Sequence, residues 1–447
     1  MTLKRNAVDC KACLGIKFGI KKVSSSLISI EVFVPQRIVG KLERYAVRIY
    51  KNHGSAKGFD KGLMPEKYIK EYFKKQIGYD VKKFVLKFIV LDFLQNKNVE
   101  KGVIHFQFPR LKGVRSEPSG GLTYVFGASI VNNVDTSDWK KLSFLPPRRK
   151  LYKDLDRQAK MFVENEVDQK PRSDKNWNIQ DGDWVCFSCK ALVDDSTDPM
   201  KDHYNRFWMK IATKYLIDPL QRFFFNKKAG DDFCIKNFQI HGMPADTLCR
   251  KGEFQIIVNS VWRGEYFCLD LFKSAFGLIS SRDIHDKLVE VFSFRNDISQ
   301  RRSIVEEVFR VLLARFRLEI PRHLVLRRQE HILRGVKKLP DYHVYKSSNG
   351  FLKQIEELSE RQLREEAIID FISRDESIDL IDVDIHKYLN LLSNSRLSEF
   401  VYFKPQMEGF GQTVLPIRER AFSADILREK ALNYVIGTIA RKDVKLA

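Results

Sequence analysis

The sequence predicts a multidomain α+β protein, and three observations predict it. At 447 residues the chain has room for about two to four domains of ordinary size, each with its own core. The apolar patterning changes period along the chain: mixed strand and helix spacing to about residue 145, strand spacing from about 179, and nearly unbroken helical spacing after Phe276. A basic run, Pro146-Pro147-Arg148-Arg149-Lys150, separates the first two regions. The expected division is an α+β domain at residues 1–145, a linker helix at 146–178, an antiparallel β domain at 179–272 and an all-α domain at 273–447.

In the first domain Ile28, Ile30, Val32 and Val34 alternate, which predicts a half-buried strand within residues 23–34. Pro35 ends it and opens a helix whose apolar side is Val39, Leu42, Ala46, Ile49 and Tyr50. A second helix starts at Pro65, with Ile69, Tyr72, Phe73 and Ile77 on one face, and a third segment carries Val81, Phe84, Val85, Phe88 and Leu91. Strand spacing returns at residues 103–108 and 122–130, around a Ser-Glu-Pro-Ser-Gly-Gly turn. The linker repeats Leu151, Leu155, Ala159 and Phe162 at helical spacing.

The β domain opens on Gln180-Asp181-Gly182-Asp183. Strands are expected from Trp184, from Phe207, and over residues 232–236, 254–261 and 266–272. The Phe223-Phe224-Phe225 run reads as an anchor in that core. In the last domain a long helix over 299–318 turns Val305, Val308, Phe309, Leu312, Leu313 and Phe316 inward, and Ile320-Pro321 breaks and restarts it. Residues 335–350 read as a loop or frayed end, 355–371 as a helix, 375–392 as a helix-turn-helix and 405–416 as a loop. Ser423 is placed to N-cap a last helix buried through Leu427, Ala431, Tyr434, Val435, Thr438 and Ile439.

Seven cysteines and no apolar run near ~20 residues predict a chain with reduced thiols and no membrane span. The basic start leads into no continuous apolar stretch, so no signal peptide is expected and the cytoplasm is the expected compartment. A net charge of +21 favours encounter with polyanions and is screened by salt; RNA, the ribosome and anionic membrane all fit it. There is no Gly-x-x-x-x-Gly-Lys-Ser/Thr and no Gly-x-Gly-x-x-Gly after a strand, which argues against ATP-driven action. Cys10/Cys13 and Cys186/Cys189 form two Cys-x-x-Cys pairs. The second sits in a strand, where a spacing of three sends the thiols to opposite faces, so neither a metal site nor a cofactor is expected.

The candidate site is residues 58–65: Gly58, Phe59, Asp60, Lys61, Gly62, Leu63, Met64 and Pro65. Two glycines permit φ > 0 and close approach of a partner, Pro65 starts the next helix, and an aromatic with a charged pair stands at the tip. Held between amphipathic helices, such a loop suits docking more than catalysis; an ordinary connection with Phe59 capping the local core is the plainer alternative.

This octet resembles the ribosome-docking signature of bacterial trigger factors, Gly-Phe-Arg-x-Gly-x-x-Pro, with Asp60 in place of the arginine. Ile320-Pro321 between two helices, and the Glu-Ser-Ile-Asp-Leu-Ile-Asp-Val-Asp-Ile run, resemble the helical arms of the same family. The β domain resembles the FKBP-type prolyl isomerase domain of that family: Ile217, Lys228 and Gly230 match its pattern, and Asp231 stands for a glutamate. The family's Gly-Phe-Glu is Pro219-Leu220-Gln221 here, and its later aromatic segment is not recognisable. That leaves Ile217 and Leu220 as the remnant of a proline pocket that would have to lower a barrier of ~18–20 kcal/mol.

The resemblance implies an ATP-independent chaperone docked at the ribosomal exit tunnel through Gly58, Phe59, Asp60, Lys61, Gly62 and Pro65. It would touch a large-subunit protein and rRNA and shield nascent or unfolded polypeptides; the family also allows a homodimer off the ribosome. Two alternatives stand beside it: a working FKBP-type peptidyl-prolyl isomerase, and a basic RNA-binding or ribosome-assembly protein. A recognisable aromatic proline pocket would favour the first, and a concentrated basic face with interleaved exposed aromatics the second.

Overall fold

The computed structural model describes residues 15–24, 27–54, 56–60, 62–90, 110–129, 134–145, 156–157, 159–161, 178–180, 182–192, 205–211, 219–238, 252–262, 279–296, 298–393, 397–405, 416–419 and 422–440. Its architecture is α+β, with two antiparallel sheets followed by a helical unit.

The first sheet contains β1 (Lys17–Lys22), β2 (Leu27–Val34), β3 (Arg110–Ser116) and β4 (Leu122–Ser129), in the order β1-β2-β4-β3. Ile28, Ile30, Val32 and Val34 are all buried, as their alternation predicts. β1 was not foreseen, because its lysine-rich text carries only Phe18 and Ile20 as an apolar face. The strand expected at 103–108 lies outside the described residues.

Helix α1 (Gln36–His53) follows Pro35 and lays Ile38, Val39, Leu42, Ala46 and Val47 on this sheet. The helix expected to run on from Pro65 is two: α2 (Glu66–Tyr72) and α3 (Lys74–Val85). At Phe73 the backbone leaves helical geometry (φ −95°, ψ 12°), its ring sits 5.0 Å from that of Tyr50, and Tyr72, expected inside, is 64% exposed. Tyr50 donates to Asp80 at 2.7 Å and Tyr124 to the Lys82 carbonyl at 2.9 Å, tying α1 and β4 to α3.

The second sheet takes β5 (Trp184–Leu192), β6 (Asn205–Lys210), β7 (Asp232–Phe238), β8 (Gly252–Trp262) and the two-residue β9 (Ile417–Arg418), in the order β7-β8-β5-β6-β9. Both of its faces are buried. Val185, Phe187, Cys189, Phe207 and Met209 form one core with Leu220 and Phe224. Trp184, Cys186 and Trp208 form another with Leu380, Ile385, Leu389 and Phe422 of the helical unit. Cys186 and Cys189 therefore do face opposite ways. Burial pushes the Cys186 thiol up to about 12 and raises Cys189 as well, so both behave as inert core residues. Trp208 Nε1 donates to Glu419 at 3.1 Å, and Arg206 bonds Asp382 at 2.6 Å. The strand expected at 266–272 lies outside the described residues.

The helical unit comprises α4 (Ser281–Asn296), α5 (Ile298–Arg315), α6 (Arg322–Val336), α7 (Tyr342–Ser347), α8 (Phe351–Asp375), α9 (Asp382–Ser393) and α10 (Ser423–Ile439). The predicted face of α5 is inside, with Val305, Val308, Phe309 and Leu312 buried against α8 and α10. Trp139 and Phe144 enter the same core: Trp139 Nε1 donates to Glu376 at 3.1 Å, and Phe144 bridges Ala440. Residues expected to form a loop at 335–350 include α7. Phe422, not Ser423, precedes the last helix; the Ser423 hydroxyl instead donates to the Glu419 carbonyl. Tyr434 and Thr438 face outward, and Ile426 and Leu432 take their expected place in the cores. Of the expected linker helix, residues 156–157, 159–161 and 178 are described; the first five are helical and residue 178 is not.

A charge cluster joins α6, α8 and α10. Arg428 donates to both oxygens of Asp370 at 2.8 and 2.7 Å and lies 3.6 Å from Glu366 and from Asp425. Arg328 reaches Glu366 at 2.7 Å. Burial pushes the Asp425 carboxyl up to about 6; Arg428 lowers it, and Glu366 and Asp370 raise it again. A carboxyl that titrates higher when folded keeps its proton in the native state, so its contribution favours folding at low pH and is lost as pH rises from about 4 through 6. The loss is on the order of 2–3 kcal/mol. Asp425→Asn is expected to remove that slope, stabilising the chain at pH 7.5 and leaving it little changed at pH 4, as read by urea unfolding at the two pH values.

Candidate functional site

The loop between α1 and α2 is built from two consecutive turns. The Phe59 N–H donates to the Ala56 carbonyl at 3.1 Å, and the Leu63 N–H to the Asp60 carbonyl at 3.1 Å. Each four-residue turn has a glycine in third position, Gly58 at φ +91° and Gly62 at φ +88°, as a type II turn requires. A Cβ at either glycine would meet nothing within 4 Å, so backbone conformation, not crowding, is what demands glycine there.

Phe59 and Asp60 occupy the junction of the two turns, and both are exposed. Met64 is buried in the core of the first unit and pins the loop's far end, while Pro65, at φ −64°, leads into α2. The Phe59 ring is 36% exposed, with its centroid 4.7 Å from that of Tyr68; Tyr68 in turn stacks on Tyr72 at 5.2 Å. Phe59 thus leans on a surface aromatic ladder instead of capping the core. Leu63, 71% exposed, and Tyr72 extend the apolar area. Spacing placed Tyr72 on the inward face of its helix and gave Leu63 no role of its own, although Tyr68 and Tyr72 stand four apart on one helix. Lys57, Lys67 and Lys70 are exposed around the loop; Lys61 lies outside the described residues. An exposed aromatic rim ringed by lysines, with one carboxylate at its tip, offers packing area and positive charge to a partner.

The second set of sequence candidates sits elsewhere. Ile217 lies outside the described residues, and Leu220 is buried beneath the second sheet with Phe187, Phe207 and Phe224. Of the aromatic run, Phe224 is core, Phe225 partly buried and Phe223 exposed. Lys228 and Asp231 form a turn, the Lys228 N–H donating to the Asp231 carboxylate at 3.0 Å, with Gly230 at φ +93°. These matching residues have a structural role here. Cys10 and Cys13 lie outside the described residues, and among the described residues no three His, Cys, Asp or Glu side chains are grouped to hold a metal.

A cleft of about 290 Å³ in the helical unit is lined by Arg301, Arg361, Glu365 and Tyr402, among others. Several of its charged groups are paired: Arg301 with Glu429 at 3.1 Å and Asn433 at 2.6 Å, and Glu365 with Arg361 at 2.8 Å and Tyr402 at 2.6 Å.

The chain is similar in sequence to known proteins. Residues 16–160 match the family described as bacterial trigger factor protein. The trigger factor of Geotalea daltonii is 20% identical over 441 residues, covering 96% of this chain and 99% of its own length. That of Geotalea uraniireducens is 21% identical over 382 residues, covering 83% and 86%, and that of Clostridium kluyveri 18% identical over 440, covering 94% and 98%. A solved structure of the trigger factor chaperone, described for promiscuous substrate recognition in folding and assembly, aligns at 16% identity over 94% of this chain and 99% of its own. Its TM-score is 0.36, too low for the overall arrangements to be compared.

Proposed function

We infer, from its place as a divergent member of the trigger factor family, that this protein is a ribosome-associated chaperone that assists folding without ATP. The observation that carries the reading is the loop: within the matched region, Phe59 stands exposed at the junction of two glycine-dependent turns, where a docking aromatic is needed. Gly58, Phe59, Asp60, Lys61, Gly62 and Pro65 are the proposed ribosome contacts. Phe59 and Leu63 would pack on a large-subunit protein beside the exit tunnel, and Lys57, Lys61, Lys67 and Lys70 would meet rRNA phosphate. Nascent and unfolded polypeptides are the proposed clients, the cytoplasm the proposed compartment, and a homodimer a proposed state off the ribosome. No helix among the described residues is long and apolar enough to cross a membrane.

The proposed division of labour is docking at residues 1–145, a linker at 146–178, an FKBP-like unit at 179–272 and a helical chaperone unit at 273–447. An isomerase reading finds less support, since Leu220 is packed into a core where no proline could reach it. Activity would instead be measured as suppression of aggregation of an unfolded protein in the absence of ATP.

The docking test is co-sedimentation with 70S ribosomes across a salt series. Phe59→Ala combined with Lys61→Ala is expected to lower affinity at least about tenfold, as for loss of an aromatic anchor and a charge. Equal binding by both proteins would sink the docking role of this loop.

A further inference from the structure

The tip of the α6–α7–α8 hairpin is an exposed surface whose side chains form no core. α7 has six residues and none is buried. A helix that short does not hold itself in water. It is tethered by a few local contacts: Tyr342 against the Phe351 ring at 6.5 Å, and the Ser347 and Ser348 hydroxyls donating to the Val344 and Tyr345 carbonyls at 2.8 Å. Around it Leu339, Val344, Tyr345 and Leu352 are each about half exposed or more. Four large apolar side chains gathered on one tip exceed the scattered singles normal for a surface.

The charge of this tip is one-sided. From Lys337 to Lys353 the sequence holds four lysines, Lys337, Lys338, Lys346 and Lys353, against a single carboxylate, Asp341, and all five are exposed. Apolar area bordered by like charge is complementary to an apolar segment bordered by the opposite charge.

Resting on the chaperone reading, we propose that this tip is a client-binding surface that selects unfolded segments whose apolar residues are flanked by aspartate or glutamate. The segment's apolar side chains cover Leu339, Val344 and Leu352, and its flanking carboxylates meet Lys337, Lys338 and Lys346. A polypeptide fits better than RNA because three of the four exposed apolar groups are aliphatic. Bases need flat rings on which to stack, and of these four only Tyr345 supplies one, beside the exposed imidazole of His343. The selection matches the whole molecule, whose net charge of +21 would repel lysine-rich segments and draw in acidic ones.

The test uses the full-length protein and three labelled peptides with one apolar core, flanked by aspartates, serines or lysines, read by fluorescence anisotropy at low and high salt. The expected result is binding about tenfold tighter for the aspartate-flanked than for the lysine-flanked peptide, as for three exposed charge pairs of modest individual strength. The difference should shrink towards unity in about 1 M salt. Lys337→Glu with Lys338→Glu and Lys346→Glu, all on exposed positions, should reverse the order. Val344→Ser with Leu352→Ser should weaken all three peptides alike. Equal affinity for the three peptides overturns the proposal and leaves the chaperone reading intact, since aggregation suppression tests that separately. Tighter binding of an oligouridylate than of the acidic peptide, lost in the lysine variant, also overturns it by making the tip an RNA surface.

Discussion

Arg428→Met is expected to destabilise the helical unit by about 3–5 kcal/mol, the scale for removing one partner of a buried ion pair. The guanidinium is nine-tenths buried and, among the described residues, is the group that donates to both oxygens of Asp370. Methionine of similar length fills the volume but supplies no donor, so Asp370 would stand in the interior without its charge-assisted bonds, beside Glu366 and Asp425. Burial alone would pull the Arg428 pKa down; the three carboxylates more than offset it and hold it charged. The loss should therefore appear as a fall in the urea midpoint at pH 7.5 and be smaller near pH 4, where the acids can protonate. A second replacement, Asp370→Leu, removes the orphaned carboxylate and should return much of the stability, because a well-packed apolar pair can equal a buried ion pair. A loss below about 1 kcal/mol for Arg428→Met would mean that water or a neighbour already satisfies Asp370.

That cluster is also where the sequence is hardest to read. In α8 the text Leu363-Arg364-Glu365-Glu366-Ala367 reads as the edge of a solvated face, because periodicity treats charge as surface. Glu365 and Glu366 are nonetheless buried, each matched by an arginine brought from another turn or another helix. Pairing across about 60 residues, as between Asp370 and Arg428, leaves no local trace. The same holds for β9, whose two residues join a sheet formed some 150 residues earlier, and for Trp208, which closes one face of that sheet on helices the sequence places in a different domain. Features that depend on neighbouring residues were legible: the alternation of Ile28 to Val34, the apolar side of α5, and the opposite facing of Cys186 and Cys189. In the candidate loop the glycines and Pro65 announced the turns. Tyr72 was placed on the buried face, and Leu63 was named only as part of the octet, because an exposed apolar residue has the same spelling as a buried one.

Asp60→Arg is expected to raise affinity for 70S ribosomes on the order of tenfold or more. The substitution removes a carboxylate from the tip of a surface otherwise ringed by Lys57, Lys67 and Lys70, and puts a planar five-donor group in its place. A charge-assisted contact contributes about 1.5–3 kcal/mol, and the relief of repulsion against an anionic partner adds to it. The backbone asks nothing of Asp60 that arginine would refuse. The turn bond to Leu63 uses the Asp60 carbonyl, and the positive φ falls on Gly58 and Gly62. Folding should be unaffected, so a change in binding would report the contact itself. The salt dependence tells which contact forms. A guanidinium on rRNA phosphate releases counterions and steepens the slope of log K against log salt by about one. A guanidinium paired with a carboxylate of a ribosomal protein raises affinity with little change in that slope. No gain at all would mean that position 60 points away from the ribosome, and that Phe59 and the surrounding lysines carry the docking without it.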